Sequence, residues 1–391
     1  QNGGGNITGH PDAPQKWRSV VDYERTIDLE HGRMRVQQRV KNHFVFASLA
    51  GQLGLARTNE VLDGDIAYNV VQDSEAGSNA PQFQRVGDAV VRQRRMELMS
   101  HPLTIVRAAL EPTTTLAHLR REGALQLLDL TLRQGDTLTL AADATTLLPA
   151  WVRYVGPNVN LGDVTFRVAF VGYVPEKGVQ MPTGISTVMD WRNIVQSKIY
   201  VDRNFIDEPV ADAAAPESVR RAAPEPGQNR NANLTPVKVA DHVWYVNGAT
   251  FFEFDDHLTM FEANRGEAGL LAVLKVGNTL VPGKPVTQVI QSHHHFDHSS
   301  GLRTAVAEGL AVIARRGNEG IFREMTSRPA TMFPDALGRN PKPLKFIPVD
   351  DHLKLKDSTN EVDIYHIIGN YHMADGVIAH VPGSRLLLEA G

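Results

Sequence analysis

Side chains that could bind a metal ion are concentrated in residues 293–298, whose sequence is HHHFDH. Side chains alternate between two faces on an extended segment, so we expect His293, His295 and Asp297 to point the same way. His298 is expected to turn in from the loop that follows. Imidazole and carboxylate groups together suit a borderline cation such as zinc. A solvated polar loop or a chance run of histidines is the alternative, and the alternating order favours a metal site over it.

The residues on either side of this cluster predict the order strand, metal-binding loop, helix. Residues 285–291 form an apolar run with β-branched members, which is typical of a buried strand. Residues 301–308 carry the pattern of a helix. The start of that helix is partially positive, which is expected to help keep Asp297 ionised. We expect His294 to point to the opposite face and to pack there rather than bind an ion.

His-x-His-x-Asp-His is the signature of the metallo-β-lactamase superfamily, and residues 293–298 resemble it. Strand-like segments upstream, within 243–263, and downstream, within 376–390, resemble the strands of that family. His372 follows a further strand-like segment, at the place where the family has its next histidine. The resemblance covers about residues 236–391 and is most specific at the histidine cluster.

The resemblance implies a site of three histidines, formed by His293, His295 and His372. It also implies that Asp297 and His298 begin a second metal site. Asp297 would in addition orient the nucleophile, which makes it the candidate catalytic residue. The implied cofactor is zinc, as one or two ions, with iron and manganese as alternatives.

The fold that the resemblance implies is a two-layered αββα sandwich built from two similar halves. The sequence contains the first half and the start of the second. In the family, the second metal site also takes an aspartate just after the strand that matches 384–390, and a histidine farther downstream. Neither occurs before Gly391, so we expect either a fragment of a longer protein or a shortened relative whose domain is incomplete at its C-terminus.

Composition narrows the classes of partner. The net charge of −4 gives no electrostatic basis for binding nucleic acid, and no apolar run approaches the length of a membrane span. The absence of cysteine excludes disulfides, thiolate ligands and thiol catalysis. We expect a small-molecule substrate, no nucleic acid and no transmembrane segment, and leave self-association open. The chain starts with Gln1, and a removed signal peptide would explain this, so we expect a periplasmic or secreted location.

The 391 residues predict two domains and a linker, with an α+β fold class. Residues 1–14 are rich in Gly, Asn and Pro and predict a flexible tail. Residues 15–205 carry strand patterns and a helical period at 85–110, which predict a curved antiparallel sheet domain with helices. Residues 206–235 are rich in Pro and Ala and predict a linker. Residues 236–391 are the metallo-β-lactamase-like domain.

Residues 138–149 weakly resemble bacterial lipoprotein-carrier domains, in which an Asp-x-x-Thr-x-x-Pro segment joins two strands of an open sheet. That resemblance implies a concave face that binds an acyl chain. A scaffold without a ligand is the alternative, and we prefer it.

Two functions from different classes follow from the sequence. The first is a metal-dependent hydrolase, with zinc preferred, that uses a metal-bound hydroxide on an ester, lactone, amide or thioester. A metal-dependent oxygenase of the same fold is a close relative of this hypothesis. The alternative is a non-enzymatic exported binding or assembly protein built on a hydrolase-derived scaffold.

Overall fold

The computed structural model describes residues 2–3, 17–41, 55–71, 81–208, 213–224, 233–370 and 373–390. The chain divides into two compact units. The described residues of the first unit fall within Gln1–Gly5, Lys16–Gly156 and Thr165–Gly227. Those of the second unit fall within Pro157–Val164 and Gln228–Gly391. The described part of the chain contains no helix with the length and apolar character of a membrane span.

The first half of the chain is rich in strands. Its elements are β1 (Asn2–Gly3), β2 (Trp17–Asp28), β3 (Arg33–Lys41), β4 (Leu55–Asp63), β5 (Ile66–Val71), β6 (Gln82–Arg85), α1 (Asp88–Met99), α2 (Pro102–Leu110), β7 (Thr115–Glu122), β8 (Leu125–Thr131), β9 (Thr137–Asp143), β10 (Pro149–Asn158), β11 (Gly162–Glu176), β12 (Val179–Met189), a 3-10 helix (Trp191–Asn193), β13 (Val195–Tyr200) and α3 (Glu217–Arg221).

Among the described residues, these strands form one sheet of thirteen, in the order β6-β5-β4-β3-β2-β1-β13-β12-β11-β10-β9-β8-β7. Neighbouring strands joined by short turns pair antiparallel, as β8 and β9 do through Leu128 and Leu140. Helices α1 and α2 pack their apolar side chains against the sheet, where Met96 and Ile105 lie in one buried cluster with Phe170. The predicted antiparallel sheet with helices, and with it the α+β class, is confirmed.

Part of the predicted linker, residues 213–224, packs on the first unit. Tyr68 Oη donates a hydrogen bond to Ala214 O at 3.2 Å, and Ala215 N donates to the Asp63 carboxylate at 2.9 Å. Val219 is buried in an apolar cluster that also contains Tyr68. Small apolar side chains thus pack residues 213–224 against the strands of the first unit. The Pro- and Ala-rich composition of this segment did not predict that packing. Of the predicted tail, only Asn2–Gly3 lies within the described residues.

The second half of the chain alternates strands and helices. Its elements are β14 (Val237–Ala240), β15 (Val243–Val246), β16 (Ala249–Glu253), β17 (Leu258–Phe261), α4 (Gly266–Leu280), β18 (Val286–Ile290), α5 (Leu302–Glu308), β19 (Ala311–Arg315), a 3-10 helix (Arg316–Asn318), α6 (Glu319–Ser327), α7 (Ala336–Arg339), β20 (Lys345–Val349), β21 (His352–Lys356), β22 (Glu361–His366), β23 (Val377–Val381), a 3-10 helix (Pro382–Ser384) and β24 (Leu386–Leu388).

Two facing sheets form the second unit, as far as its described residues extend. One has seven strands in the order β14 to β20, and the other has four in the order β21 to β24. Their inner faces meet in a buried apolar cluster that includes Phe252 and Ile290 from the first sheet and Ile364 and Val377 from the second. Helix α4 lies on the outer face of the seven-stranded sheet, so the layers agree with the predicted first half of an αββα sandwich.

The second unit places its strand ends where a site can form. Strands β17, β18, β19 and β20 run parallel, and Phe261 is paired with Ile290 in register. The carboxyl ends of parallel strands lie at the same edge of a sheet. The residues that follow Phe261 and Ile290 therefore meet at one edge.

Gly277 is expected to be required for the packing of α4. A Cβ at this position would lie 2.5 Å from Cε1 of Phe251, which is fully buried beneath the helix. We expect Gly277→Ala to lower the free energy of unfolding by about 1–3 kcal/mol, the usual cost of overpacking a core. Urea unfolding of the full chain measures it.

Gly320 provides the matched control, since it is also helical but has no atom within 4 Å of the position of a Cβ. Gly320→Ala should raise the free energy of unfolding by up to about 1 kcal/mol, because alanine has the higher helix propensity. Equal effects of the two substitutions would contradict the proposed close packing at Gly277.

Candidate metal centre

Residues 291–300, here called the histidine loop, follow β18 directly. Gln291 N donates to Ile313 O at 2.8 Å, which continues the parallel ladder for one residue beyond the strand. The chain then turns, with His298 N and Ser299 N donating to His295 O at 3.1 and 2.8 Å. This turn folds the end of the loop back over its beginning. The predicted order of strand, loop and helix is observed, with bounds of Val286–Ile290 and Leu302–Glu308.

The turn brings three of the predicted ligands together. The ring centroid of His293 lies 4.5 Å from that of His295 and 4.2 Å from that of His298. His293 is fully buried, His295 is 5% exposed, and the side chain of His298 is 18% exposed. His294 is buried too, with its ring 6.5 Å from that of His293 but 4.9 Å from that of His295, so it is not separated from the other rings as expected.

A carboxylate that the sequence analysis did not identify, Glu262, lies behind the histidines. It follows β17, has a positive φ of 75° and is 2% exposed. Its Oε1 accepts a hydrogen bond from Ser292 N at 2.9 Å, and its Oε2 lies 2.9 Å from Nδ1 of His298. Its position directly after a strand was the sequence signal that could have identified it, because residues that follow neighbouring parallel strands lie at the same edge of the sheet.

The surroundings of His298 favour a charged ring. Burial lowers the pKa of His298, but the hydrogen bond to Glu262 and the negative charges of Glu262, Asp297 and Glu389 outweigh it, so the pKa is raised. The Nδ1 atom is held by Glu262, so ligation of an ion by this ring would go through Nε2. Ser292 Oγ similarly lies 2.9 Å from Nδ1 of His293.

Asp297 lies on the open side of the group. Its side chain is 82% exposed, and its Oδ2 is 3.6 Å from Nε2 of His298. The carboxylate is therefore close to one histidine and in contact with solvent. This is compatible with the predicted roles in binding an ion or orienting water, which stay predictions.

His372 and its neighbour Tyr371 lie outside the described residues. The segment that follows reaches the histidine loop, since Val377 N donates to Ser292 O at 2.9 Å. Asp375, close to His372 in sequence, is nearly buried, and its carbonyl accepts a hydrogen bond from Asn318 Nδ2 at 2.7 Å. The role of His372 as the third histidine ligand remains the prediction that the family resemblance makes.

The donor chemistry fits a zinc-like cation. Three imidazoles converge, and a buried carboxylate and a hydroxyl contact the Nδ1 atoms of two of them, as outer contacts of metal-binding histidines commonly do. Within the described residues, no group of three or more His, Cys, Asp or Glu side chains is arranged so that it could hold a metal ion. The roles of His293, His295 and His298 as metal ligands therefore stay predictions.

Comparison with known proteins gives the same family for this region. The family model of the metallo-β-lactamase superfamily matches residues 249–388, which include β16, the histidine loop and β24. This confirms the resemblance seen in the sequence. The match does not include residues 138–149, whose likeness to a lipoprotein carrier stays a prediction. No curated protein matches the chain.

Solved metallo-β-lactamases are among the structures similar to this chain. SMB-1, in a complex with mercaptoacetic acid, is 19% identical, with 37% of this chain and 56% of that chain covered and a TM-score of 0.29. DIM-1 is 15% identical, with 40% of this chain and 68% of that chain covered and a TM-score of 0.30. The metallo-β-lactamase from Pontibacter korlensis is 10% identical, with 59% of this chain and 67% of that chain covered and a TM-score of 0.26. The chain thus spans little more than half the length of SMB-1.

Proposed function

Since residues 249–388 match the metallo-β-lactamase superfamily, we propose that this chain is a metal-dependent hydrolase. The substrate class is an ester, lactone, amide or thioester. The observation that carries the proposal is the convergence of the His293, His295 and His298 rings beside the buried carboxylate of Glu262. Imidazoles are common zinc ligands, and a carboxylate commonly holds the second nitrogen of such a ring.

Each residue has a distinct part in this proposal. His293, His295 and His372 would hold one ion, and His298 with Asp297 would begin a second site. Bound zinc would supply Lewis acidity and bring the pKa of a coordinated water to about 7. The exposed carboxylate of Asp297 would orient the attacking water by accepting a hydrogen bond from it.

The proposal is tested with the full chain. Metal content is measured after purification, and hydrolysis of ester, lactone, amide and thioester substrates is followed before and after chelation and zinc restoration. We expect turnover that disappears on chelation and returns with zinc. Iron as the recovered metal would instead favour the related oxygenase chemistry. Bound metal without turnover of any class would favour the alternative, a binding or assembly protein on a hydrolase-derived scaffold.

A further inference from the structure

A loop from the first half of the chain belongs to the second unit. Pro157–Val164 is part of that unit, although the residues before and after it in the sequence belong to the first. The loop is shaped by Asn158, whose Oδ1 accepts hydrogen bonds from Asn160 N at 2.9 Å and Leu161 N at 3.2 Å. This turn fixes the backbone at Asn160.

The side chain of Asn160 contacts the histidine loop. It is 2% exposed, and its Nδ2 donates to Phe296 O at 3.1 Å and to Ser299 Oγ at 3.2 Å. Ser299 Oγ in turn lies 2.8 Å from His295 O, to which it donates. One amide group thus fixes the peptide after Phe296 directly and the peptide after His295 through a hydroxyl.

Both peptides lie in the turn that brings His295 and His298 to His293. Rotation of either peptide would move a histidine ring away from the group, because the ring positions follow the backbone of this short turn. A buried hydrogen bond that is removed on one side leaves its partner unsatisfied, which favours such rearrangement.

We propose that Asn160 is a positioning residue of the metal centre. It holds the turn of the histidine loop in the conformation that presents His295 to the first proposed ion and His298 to the second site. The proposal rests on the proposed function, since it requires that the loop binds a metal.

The same loop is fixed to the second unit at another place. The carboxylate of Asp163 accepts hydrogen bonds from the backbone N of Thr331 and Met332, both at 2.8 Å, and of Phe333 at 3.1 Å. Burial raises the pKa of Asp163, but these hydrogen bonds outweigh it and the pKa is lowered. Since none of these contacts involves the histidine loop, Asp163 provides a control for effects on stability alone.

The test compares four full-length proteins: wild type, Asn160→Leu, Ser299→Ala and Asp163→Asn. Leucine has the same branching and number of side-chain heavy atoms as asparagine but has no donor, and Ser299→Ala removes the link to His295 O while Asn160 is kept. Zinc affinity is measured by competition calorimetry, the coordination by the visible spectrum of the cobalt-substituted protein, and stability by urea unfolding of the metal-free protein.

We expect Asn160→Leu and Ser299→Ala to weaken zinc binding by about tenfold or more, in the range found for outer contacts of metal ligands. We also expect both to change the cobalt spectrum. Asp163→Asn should lower stability and leave zinc affinity and the cobalt spectrum as in wild type.

Wild-type affinity and spectrum in both Asn160→Leu and Ser299→Ala would overturn the inference. An equal loss of affinity in Asp163→Asn would also overturn it, because the loop would then act only by stabilising the unit. A wild-type chain that binds no metal would instead remove the proposed function itself. If Asn160→Leu does not fold, Ser299→Ala decides between these outcomes.

Discussion

Replacing His295 with alanine is expected to abolish tight zinc binding and, with it, hydrolysis. His295 lies centrally in the histidine loop, with its ring 4.5 Å from that of His293 and its carbonyl at the start of the turn. Two remaining imidazoles rarely hold zinc tightly, since its sites in proteins take three or four protein ligands. Zinc titration of the full chain by calorimetry measures the loss.

His352→Ala is the matched control for this substitution. Its side chain is 40% exposed and lies 2.7 Å from the carboxylate of Asp363, in the other sheet of the same unit. We expect zinc affinity to be unchanged in this variant. Wild-type affinity in His295→Ala would defeat the assignment of the histidine loop as a metal site.

Replacing Glu262 with glutamine is expected to weaken zinc binding by about 10–100-fold, the usual cost of losing an outer partner of a metal ligand. Glutamine keeps the size of the side chain but removes the negative charge beside Nδ1 of His298. The same change should lower the pKa of His298, because the hydrogen bond and charge of Glu262 raise it against the effect of burial. Calorimetry measures the affinity, and an NMR titration of the metal-free protein follows the ring.

Glu253→Gln is the control, since Glu253 also lies beside a histidine. Its Oε2 is 2.9 Å from Nδ1 of His242, and its Oε1 accepts a bond from Lys284, away from the histidine loop. Its replacement should leave both the zinc affinity and the pKa of His298 unchanged. If Glu262→Gln binds zinc as tightly as wild type, the carboxylate does not orient a ligand.

The order of strand, loop and helix around the histidines could be predicted because the relevant information is local. An apolar run that ends in alternating ligand types predicts a strand followed by a loop, and the structure has β18 at Val286–Ile290 and the rings of His293 and His295 side by side. The α+β class also follows from local strand and helix patterns. Register within a hairpin, as between β8 and β9, is likewise set by short turns.

Glu262 and Asn160 could not be predicted in the same way. The contact of Glu262 with Ser292 depends on the parallel pairing of β17 with β18, between which a whole helix intervenes. Asn160 is 136 residues from the carbonyl that it contacts, and nothing in its local pattern indicates that distant partner. Residues 213–224 show the same limit, because their composition predicts a solvated segment and only the fold supplies the surface that buries Val219.

The position of Pro157–Val164 in the second unit has a consequence for anyone who expresses the second unit alone. A protein that starts at the family match, residue 249, or at Gln228 would lack Pro157–Val164, which is part of the second unit. The backbone N–H groups of Thr331 and Met332 would lose their carboxylate, and Phe296 O its amide. In the cell, this loop leaves the ribosome long before its partners, so the second unit can finish folding only after the two distant stretches have met.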